Sequence, residues 1–239
     1  MPDGTSFQQR PDRDGGNTSD GSRRCVDVIN VSKVFEGGHG THVALRGISF
    51  RVHAGERMGI MGANGSGKST LIKILSGILM PTAGEVRRGL KLSWPLALGG
   101  GFEGQLTGYD NVRFLCRLYD LPFQDTLSYV DDFSELGKHM FRPVRYYSDG
   151  MRMRLAFALS LAMDFECYLI DEVLLVGDRR FQIKCHDELF GRRGHCGMIM
   201  AIHDAGVIRD YCQSALILKG GRGRILTDLS TASQIYNRL

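Results

Sequence analysis

Apolar and polar residues follow two different periods along the chain, and segments of the two kinds alternate. Residues 26–35 and 42–52 alternate apolar and polar side chains, as half-buried strands do, and a glycine-rich turn at 36–40 separates them. Short apolar runs, which are typical of buried strands, occupy residues 57–61, 167–170 and 198–202. Further strands are predicted at residues 85–92, 215–218 and 224–226, the last two as a hairpin.

Apolar residues at helical spacing fill most of the segments between these strands. The predicted helices cover residues 70–77, 111–121, 125–136, 152–163, 181–190 and 231–239. Thr107 and Asp110 can cap the second of these helices, and Pro122 ends it. The stretch from about 102 to 163 is therefore expected to be a mostly helical insertion between strands of an α/β core.

The composition is that of an ordinary globular protein, since 43% of the 239 residues are hydrophobic and 23% are charged. This length suits one or two domains. The net charge of +4 comes without a long Lys/Arg run, so it gives no indication of nucleic-acid binding. Residues 1–24 have almost no apolar side chains and are expected to be a disordered tail, which leaves residues 25–239 as the folded domain.

Cysteine usage and hydropathy indicate a cytosolic protein. The six cysteines are scattered without a C-x-x-C pair or zinc spacing, which fits a reducing compartment and predicts no metal site built from cysteine. The longest apolar stretch, residues 155–163, is too short to cross a bilayer, and the first residues lack the pattern of a signal peptide. Such a protein can still sit on a membrane through a partner.

Residues 62–70 form the pattern G-x-x-x-x-G-K-S between a predicted strand and a predicted helix, which is the context of a phosphate-binding loop. Its glycines let the backbone curl so that N–H groups point at phosphate oxygens. Lys68 would reach the β- and γ-phosphates, and the Ser69 hydroxyl would ligate Mg²⁺. The candidate nucleotide-binding residues are Gly62, Ala63, Asn64, Gly65, Ser66, Gly67, Lys68, Ser69 and Thr70.

Two further places can serve phosphate chemistry. Ser148 and Gly150 stand just before the predicted helix at 152–163, where a helix N-terminus offers a second anion site. Asp171 and Glu172 end a buried strand. In a P-loop protein the first such carboxylate holds the Mg²⁺ shell and the second polarises the attacking water. Taken alone, an Asp-Glu pair is more often a solvated strand end.

Three other features have two interpretations each. His203 follows a buried strand, where histidine is usually structural but in a P-loop fold would face the phosphates. Phe35 stands at a strand end before a glycine-rich turn and is either a core residue or an aromatic that stacks on a nucleotide base. The glycine triplet at 99–101 is either a plain loop or a hinge between two lobes.

In this order the motifs resemble those of ABC-type ATP-binding subunits, from residue 25 to the C-terminus. Residues 62–70 correspond to Walker A, 167–171 to Walker B, 147–151 to the signature and 176–178 to the D-loop. The resemblance implies ATP and Mg²⁺ as cofactors, with Ser69 and Asp171 on the metal. It also implies a P-loop core with an N-terminal antiparallel β-subdomain. The family roles implied are Glu172 as catalytic base, His203 as switch histidine, Lys68 on the phosphates, Phe35 on the base, and Asp178, Ser148 and Gly150 in nucleotide binding.

Residues 93–108, 147–157 and 168–178 resemble the polysaccharide-export branch of that family, and within it the ATPases of capsular polysaccharide exporters. Relatives that export O-antigen often carry a C-terminal sugar-binding domain, for which this chain has no room. The resemblance implies a peripheral subunit on the cytoplasmic face of the inner membrane. Its partners would be polytopic permease subunits, and the glycan would meet only the permease. If the helical insertion holds the signature away from the P-loop, one chain cannot aim both at the same phosphate, so a head-to-tail homodimer is expected.

Other functions are compatible with the motifs. Another glycan, of the O-antigen or teichoic acid type, is the nearest alternative to capsular polysaccharide. A soluble ABC ATPase acting on ribosomes or DNA usually has two cassettes or a coiled-coil insert, and neither is present here. A nucleotide-binding regulator without hydrolysis is disfavoured because Glu172 and His203 are both in place.

Two positions depart from the family pattern. The Mg²⁺-sensing glutamine expected near residue 98 is absent, and Glu103 and Gln105 are both candidates to replace it. Asp149 stands where most relatives have glycine. A carboxylate 4–5 Å from a γ-phosphate would be repelled by roughly 1 kcal/mol or more. We therefore expect the Asp149 side chain to point away from the phosphate, the alternative being that it tunes closure.

Overall fold

The computed structural model describes residues 24–37, 40–96, 103–171, 178–202 and 204–238. Its strands are β1 Cys25–Gly37, β2 Gly40–His53, β3 Arg57–Gly62, β4 Ala83–Arg88, β5 Cys167–Asp171, β6 Gly197–Ala201, β7 Ser214–Lys219 and β8 Arg222–Leu226. Its α-helices are α1 Lys68–Leu75, α2 Gly108–Tyr119, α3 Phe123–Ser134, α4 Asp149–Ala162, α5 Arg179–His186, α6 Ala205–Tyr211 and α7 Leu229–Tyr236. Two 3₁₀ turns, Gly137–Phe141 and Val144–Tyr146, precede α4, and a π-helix, Asp187–Arg192, follows α5.

The strands form two sheets. The small sheet is antiparallel, in the order β2-β1-β4. The larger sheet has the order β5-β6-β3-β7-β8, in which the first four strands are parallel and β8 is an antiparallel edge. The predicted N-terminal hairpin is confirmed, and its register sets Phe35 opposite His42.

Strand β3 is the centre of the larger sheet because it pairs with β6 on one side and β7 on the other. Its side chains alternate between two hydrophobic clusters. Met58 and Ile60 lie with α1 and the small sheet, whereas Met61 lies with the helical insertion. This is the period-two pattern of a strand that is buried on both faces. Both faces of the larger sheet are accordingly covered at β3.

Helices α2, α3 and α4 form the helical insertion between β4 and β5. Thr107 is the N-cap of α2 and accepts a hydrogen bond from the Asp110 N–H at 3.0 Å, as predicted. The apolar face predicted for residues 125–136 is also confirmed, since Val130 and Phe133 of α3 and Leu136, just after its end, are buried. They join the cluster that packs against the larger sheet.

Several predicted boundaries are wrong. The strand expected at 85–92 ends at Arg88, and Leu92 makes an isolated bridge to Cys167 of the other sheet. The helix expected at 181–190 is α5 followed by the π-helix. Helix α6 was not predicted, because Ile208 is its single fully buried residue and so the helical period is weak.

Candidate functional site

The phosphate-binding loop connects the carboxyl end of β3 to the first turn of α1. Gly65 and Gly67 adopt φ values of +77° and +107°, a region that side chains other than glycine rarely enter. A Cβ on Gly67 would lie 2.7 Å from the Ala44 carbonyl oxygen, and one on Gly62 would lie 2.5 Å from the Leu218 carbonyl oxygen. The backbone therefore requires glycine at these positions, and the loop sits at a helix N-terminus, where anions are favoured.

Lys68 is the first residue of α1 and is 5% exposed. Its Nζ donates to the carbonyl oxygens of Gly62 at 2.9 Å and Ala63 at 3.3 Å. The ammonium group is thus folded over the loop, close to where the loop N–H groups gather. This arrangement places a buried positive charge at the anion site.

Ser69 and Asp171 come together although they lie on different segments. The Ser69 Oγ donates to Asp171 Oδ1 at 3.2 Å, and Asp171 is 6% exposed at the carboxyl end of β5. Hydroxyl and carboxylate oxygens are the ligands that Mg²⁺ prefers, usually completed by water and substrate phosphates. Within the described ranges no group of three or more His, Cys, Asp or Glu side chains forms a further metal site.

A cavity of about 460 Å³ opens between the small sheet and the loop. It is lined by Phe35, His42, Ala44, Asn64, Gly65, Gly67, Lys68, Ser69 and Thr70. Phe35 is 40% exposed, and the Lys33 Nζ lies 5.2 Å from its ring centroid. The aromatic ring is therefore a surface group at the cavity and not a core residue, which excludes the alternative interpretation from sequence.

His42 is a cavity residue that sequence reasoning missed. It faces Phe35 across the β1–β2 hairpin, so the two rings flank the same opening. Counting outward from the glycine-rich turn would have paired these positions, because strand partners in a hairpin are fixed by the turn. The equal distance of Phe35 and His42 from the turn was therefore the signal that could have identified His42.

The signature segment stands at a helix N-terminus, as predicted, although α4 begins at Asp149 and not at residue 152, so that Gly150 is part of the helix. Ser148 is the N-cap of α4, and its Oγ accepts from the Met151 N–H at 3.3 Å. Gly150 lies in the first turn of α4, where a Cβ would meet none of the described residues within 4 Å outside its own stretch of helix. The Asp149 carboxylate is 89% exposed and pairs with Arg152 on the same helix. None of the described residues that line the P-loop cavity is Ser148, Gly150 or Asp178.

Asp178 caps α5 and contacts α4. Its Oδ1 accepts from the Phe181 N–H at 2.9 Å, and its Oδ2 accepts from Arg154 Nη2 at 2.7 Å. The Phe181 N–H and the Arg154 guanidinium hold the pKa of Asp178 below its usual value. Arg154 is a second residue that sequence reasoning missed, because nothing in its local pattern marks it.

Some predicted site residues lie outside the described residues: Glu172, His203, the first two D-loop positions 176–177, and the glycine triplet 99–101. The two candidates for the absent glutamine are described. Gln105 Oε1 accepts from Arg145 Nη1 at 2.6 Å, and Glu103 Oε1 accepts from the Gln105 N–H at 3.1 Å. Both are thus engaged within the helical insertion.

Comparison with known proteins gives close relatives. The chain is 46% identical over 214 residues to the capsule polysaccharide export ATP-binding protein CtrD of Neisseria meningitidis serogroup B, covering 90% of this chain and 99% of CtrD. It is 46% identical over 212 residues to the ATP-binding protein BexA of Haemophilus influenzae, covering 89% and 98%. It is 38% identical over 216 residues to the polysialic acid transport ATP-binding protein KpsT of Escherichia coli, covering 89% and 99%.

Solved structures share the fold. One, described as the ATP-binding subunit of an ABC transporter, has a TM-score of 0.74 at 20% identity, covering 88% of this chain and 92% of that one. The cassette MJ0796, solved as a dimer in a post-hydrolysis state bound to ADP and Pi, has a TM-score of 0.69 at 22% identity, covering 84% and 98%. These likenesses confirm the P-loop α/β fold class.

The ABC transporter family itself matches residues 45–97, which include the phosphate-binding loop. Together with the relatives, this match defines the class: the chain belongs to the ATP-binding subunits of ABC transporters and is an ABC ATPase. Within that class it belongs to the group of capsule polysaccharide export ATP-binding proteins. The family resemblance drawn from the order of the motifs is confirmed. Among the described residues, no helix combines the length and apolar character needed to cross a membrane.

Proposed function

We propose that this protein hydrolyses ATP to energise export of capsular polysaccharide, as a peripheral subunit on the cytoplasmic face of the inner membrane. The observation that carries the proposal is the Ser69–Asp171 contact of 3.2 Å beside a buried Lys68 on a glycine loop. It is the arrangement that ATP hydrolysis needs, and the relative CtrD, at 46% identity, is a capsule polysaccharide export ATP-binding protein.

The residues present fit ATP and Mg²⁺. Ser66 Oγ is buried at the loop with no hydrogen-bond partner among the described residues, so a nucleotide oxygen would satisfy it. Ser69 and Asp171 would hold Mg²⁺, which neutralises charge on the phosphates. Lys68 would bind the β- and γ-phosphate oxygens, and Phe35 would stack on the base. Glu172 would activate the attacking water, with His203 at the γ-phosphate, as in the family.

We also propose a homodimer, which the position of the signature supports. Ser148 and Gly150 are not among the described residues that line the cavity of their own chain, and they lie at the N-terminus of α4, where anions are favoured. A second copy arranged head to tail would bring this N-terminus to the γ-phosphate. ATP would then hold the dimer closed, and hydrolysis would open it.

An apolar face on α2 suits the membrane subunits. Phe114 and Leu118, which lie four residues apart and therefore on the same side of the helix, are 54% and 63% exposed. Burying such side chains against a partner removes apolar area from water, which favours association. We propose that a cytoplasmic helix of the permease docks on this face, so that closing of the dimer moves the permease.

The test is a pull-down of the Glu172→Gln variant with ATP from gently solubilised membranes of the source cell. We expect a polytopic membrane protein encoded with capsule genes to be recovered. Phe114→Asp should abolish the recovery, whereas Ile183→Asp, at a residue of equal exposure (54%) on α5, should leave it intact. Recovery of an O-antigen or teichoic acid permease would replace capsular polysaccharide by that glycan as the proposed substrate. Recovery of ribosomes, DNA or the dimer alone would refute the transport function.

A further inference from the structure

Arg154 joins three segments of the chain. It lies on α4, in the turn of helix that follows the signature segment 147–151, and its side chain is 18% exposed. Its Nη2 donates to Asp178 Oδ2 at 2.7 Å, and its Nη1 donates to Glu135 Oε2 at 3.0 Å. The guanidinium carbon lies 4.6 Å from the centroid of the Phe181 ring. A guanidinium held by two carboxylates and an aromatic ring has a defined orientation.

Asp178 uses its two carboxylate oxygens for two different elements. Oδ1 caps α5 through the Phe181 N–H, and Oδ2 receives Arg154 from α4. A shift of α4 relative to α5 must therefore either carry Asp178 along or break one of these bonds. By the family resemblance Asp178 is the D-loop aspartate, which takes part in the nucleotide site of the dimer.

A second polar contact fastens the insertion to the core at a different place. On α3, the Tyr129 hydroxyl donates to Glu188 Oε1 at 3.1 Å. Arg193 binds Glu188 and also donates through Nε to the Tyr168 hydroxyl of β5 at 2.9 Å. The Glu188 side chain is buried at 8% exposed, and the Arg193 side chain is half-buried at 19% exposed.

The two contacts differ in how easily they open. Moving α3 away from the core would take the Tyr129 hydroxyl from the buried Glu188 carboxylate, whose side chain is 8% exposed, and weakening the bonding of a buried carboxylate is unfavourable. The Asp178 side chain is 62% exposed, so water can solvate it when the Arg154 bond breaks. The Glu188 contact thus holds α3 on the core, while the Arg154–Asp178 bond ties α4 to the start of α5.

We propose that Arg154 is a positioning residue for ATP hydrolysis, which holds Asp178 and the start of α5 in register with the signature helix α4. The position that α4 takes in the closed dimer is then passed to Asp178 in the same chain. This inference rests on the proposed function, since it assigns a residue to the coupling of the two half-sites.

The test compares variants of the full chain, after wild type has been found to hydrolyse ATP. We expect Arg154→Gln to lower kcat at least tenfold and to reduce the Hill coefficient for ATP. The ATP Kd should stay within twofold, because Arg154 is not among the described residues that line the cavity. Asp178→Asn can keep the cap on α5 while losing the ion pair, and it should cause a similar loss.

A double-mutant cycle separates coupling from structural damage. The Arg154→Gln/Asp178→Asn double variant should be no slower than the slower single variant, and Arg154→Lys should restore part of the rate. Glu135→Gln is the matched control, because it removes the other carboxylate that Arg154 contacts and should change kcat less than twofold. If Arg154→Gln fails to fold, Asp178→Asn and Arg154→Lys decide the question.

Three results would overturn the inference: unchanged kcat in both single variants, additive losses in the double variant, or an equal loss in Glu135→Gln. A wild-type chain that does not hydrolyse ATP would refute the proposed function instead. The two failures are therefore distinguishable.

Discussion

The hydroxyl of Ser69 donates to a carboxylate oxygen of Asp171, at 3.2 Å and 102 residues further along the chain. The contact follows from the strand order, because β3 and β5 are parallel and only β6 lies between them. Their carboxyl ends therefore meet at the same edge of the sheet. Two oxygen ligands for a divalent cation are thus in contact in the folded chain.

Replacing Asp171 by Asn should lower the ATPase rate at least about 100-fold, the loss typical of removing one group that stabilises developing charge. Nucleotide binding without Mg²⁺ should change only a few-fold. Asp164→Asn is the control, because Asp164 lines a different cavity, together with Arg193 and His195. Steady-state hydrolysis and nucleotide titration with and without Mg²⁺ measure both effects. An Asp171→Asn variant with the wild-type rate would contradict the site.

Replacing Phe35 by Ala should weaken ATP binding by about 0.5–1.5 kcal/mol, a factor of about 2–10 in Kd, because a stacked aromatic contact is lost. Phe35→Tyr keeps the ring and should bind ATP as the wild type does. Titration with ATP and with inorganic triphosphate distinguishes the base contact from the phosphate contact. Equal weakening for both ligands would show that Phe35 does not stack on the base.

Replacing Gly62 by Ala should lower the free energy of unfolding by about 1–3 kcal/mol, because the added Cβ would meet a backbone carbonyl that cannot move aside. Gly104→Ala is the control, since its Cβ would meet none of the described residues within 4 Å apart from its neighbours in sequence. Urea denaturation of both variants gives the comparison. A Gly62→Ala variant as stable as Gly104→Ala would refute the tight approach of β3 to Leu218.

Replacing Ser148 by Ala should cost about 1 kcal/mol of stability through loss of an N-cap. Thr107→Ala removes the N-cap of α2 and should cost a similar amount. Only Ser148→Ala should also weaken the ATP-dependent dimer of the Glu172→Gln chain, by at least tenfold in the dimer Kd measured by sedimentation. Equal dimerisation of the two variants would contradict the head-to-tail arrangement.

The sequence predicted the elements whose local signals agree with one another. Residues 62–70 combine a buried strand, required glycines and a helix start, so the loop and its neighbours were predicted together. The strand expected at 85–92 was wrong, because apolar positions on either side of Gly89 belong to different sheets. Local patterning cannot indicate that a chain crosses from one sheet to another within a few residues.

Contacts between charged residues far apart in the chain could not be predicted from the sequence. Arg154 could have paired with many carboxylates, and its choice of Asp178 depends on how α4 packs against α5. Helix α6 was missed for a related reason, since seven residues with one buried side chain give too little periodicity to predict a helix. In contrast, the pairing of Phe35 with His42 depends on a single turn and was within reach.

The central position of β3 has a consequence for dynamics. Because the backbone amides of this strand are bonded on both flanks and its side chains are buried, hydrogen–deuterium exchange at residues 58–60 should require opening of the whole sheet. The nucleotide loop begins where this slowly exchanging strand ends. Its first residues are therefore already ordered before a nucleotide binds, and binding loses little conformational entropy there.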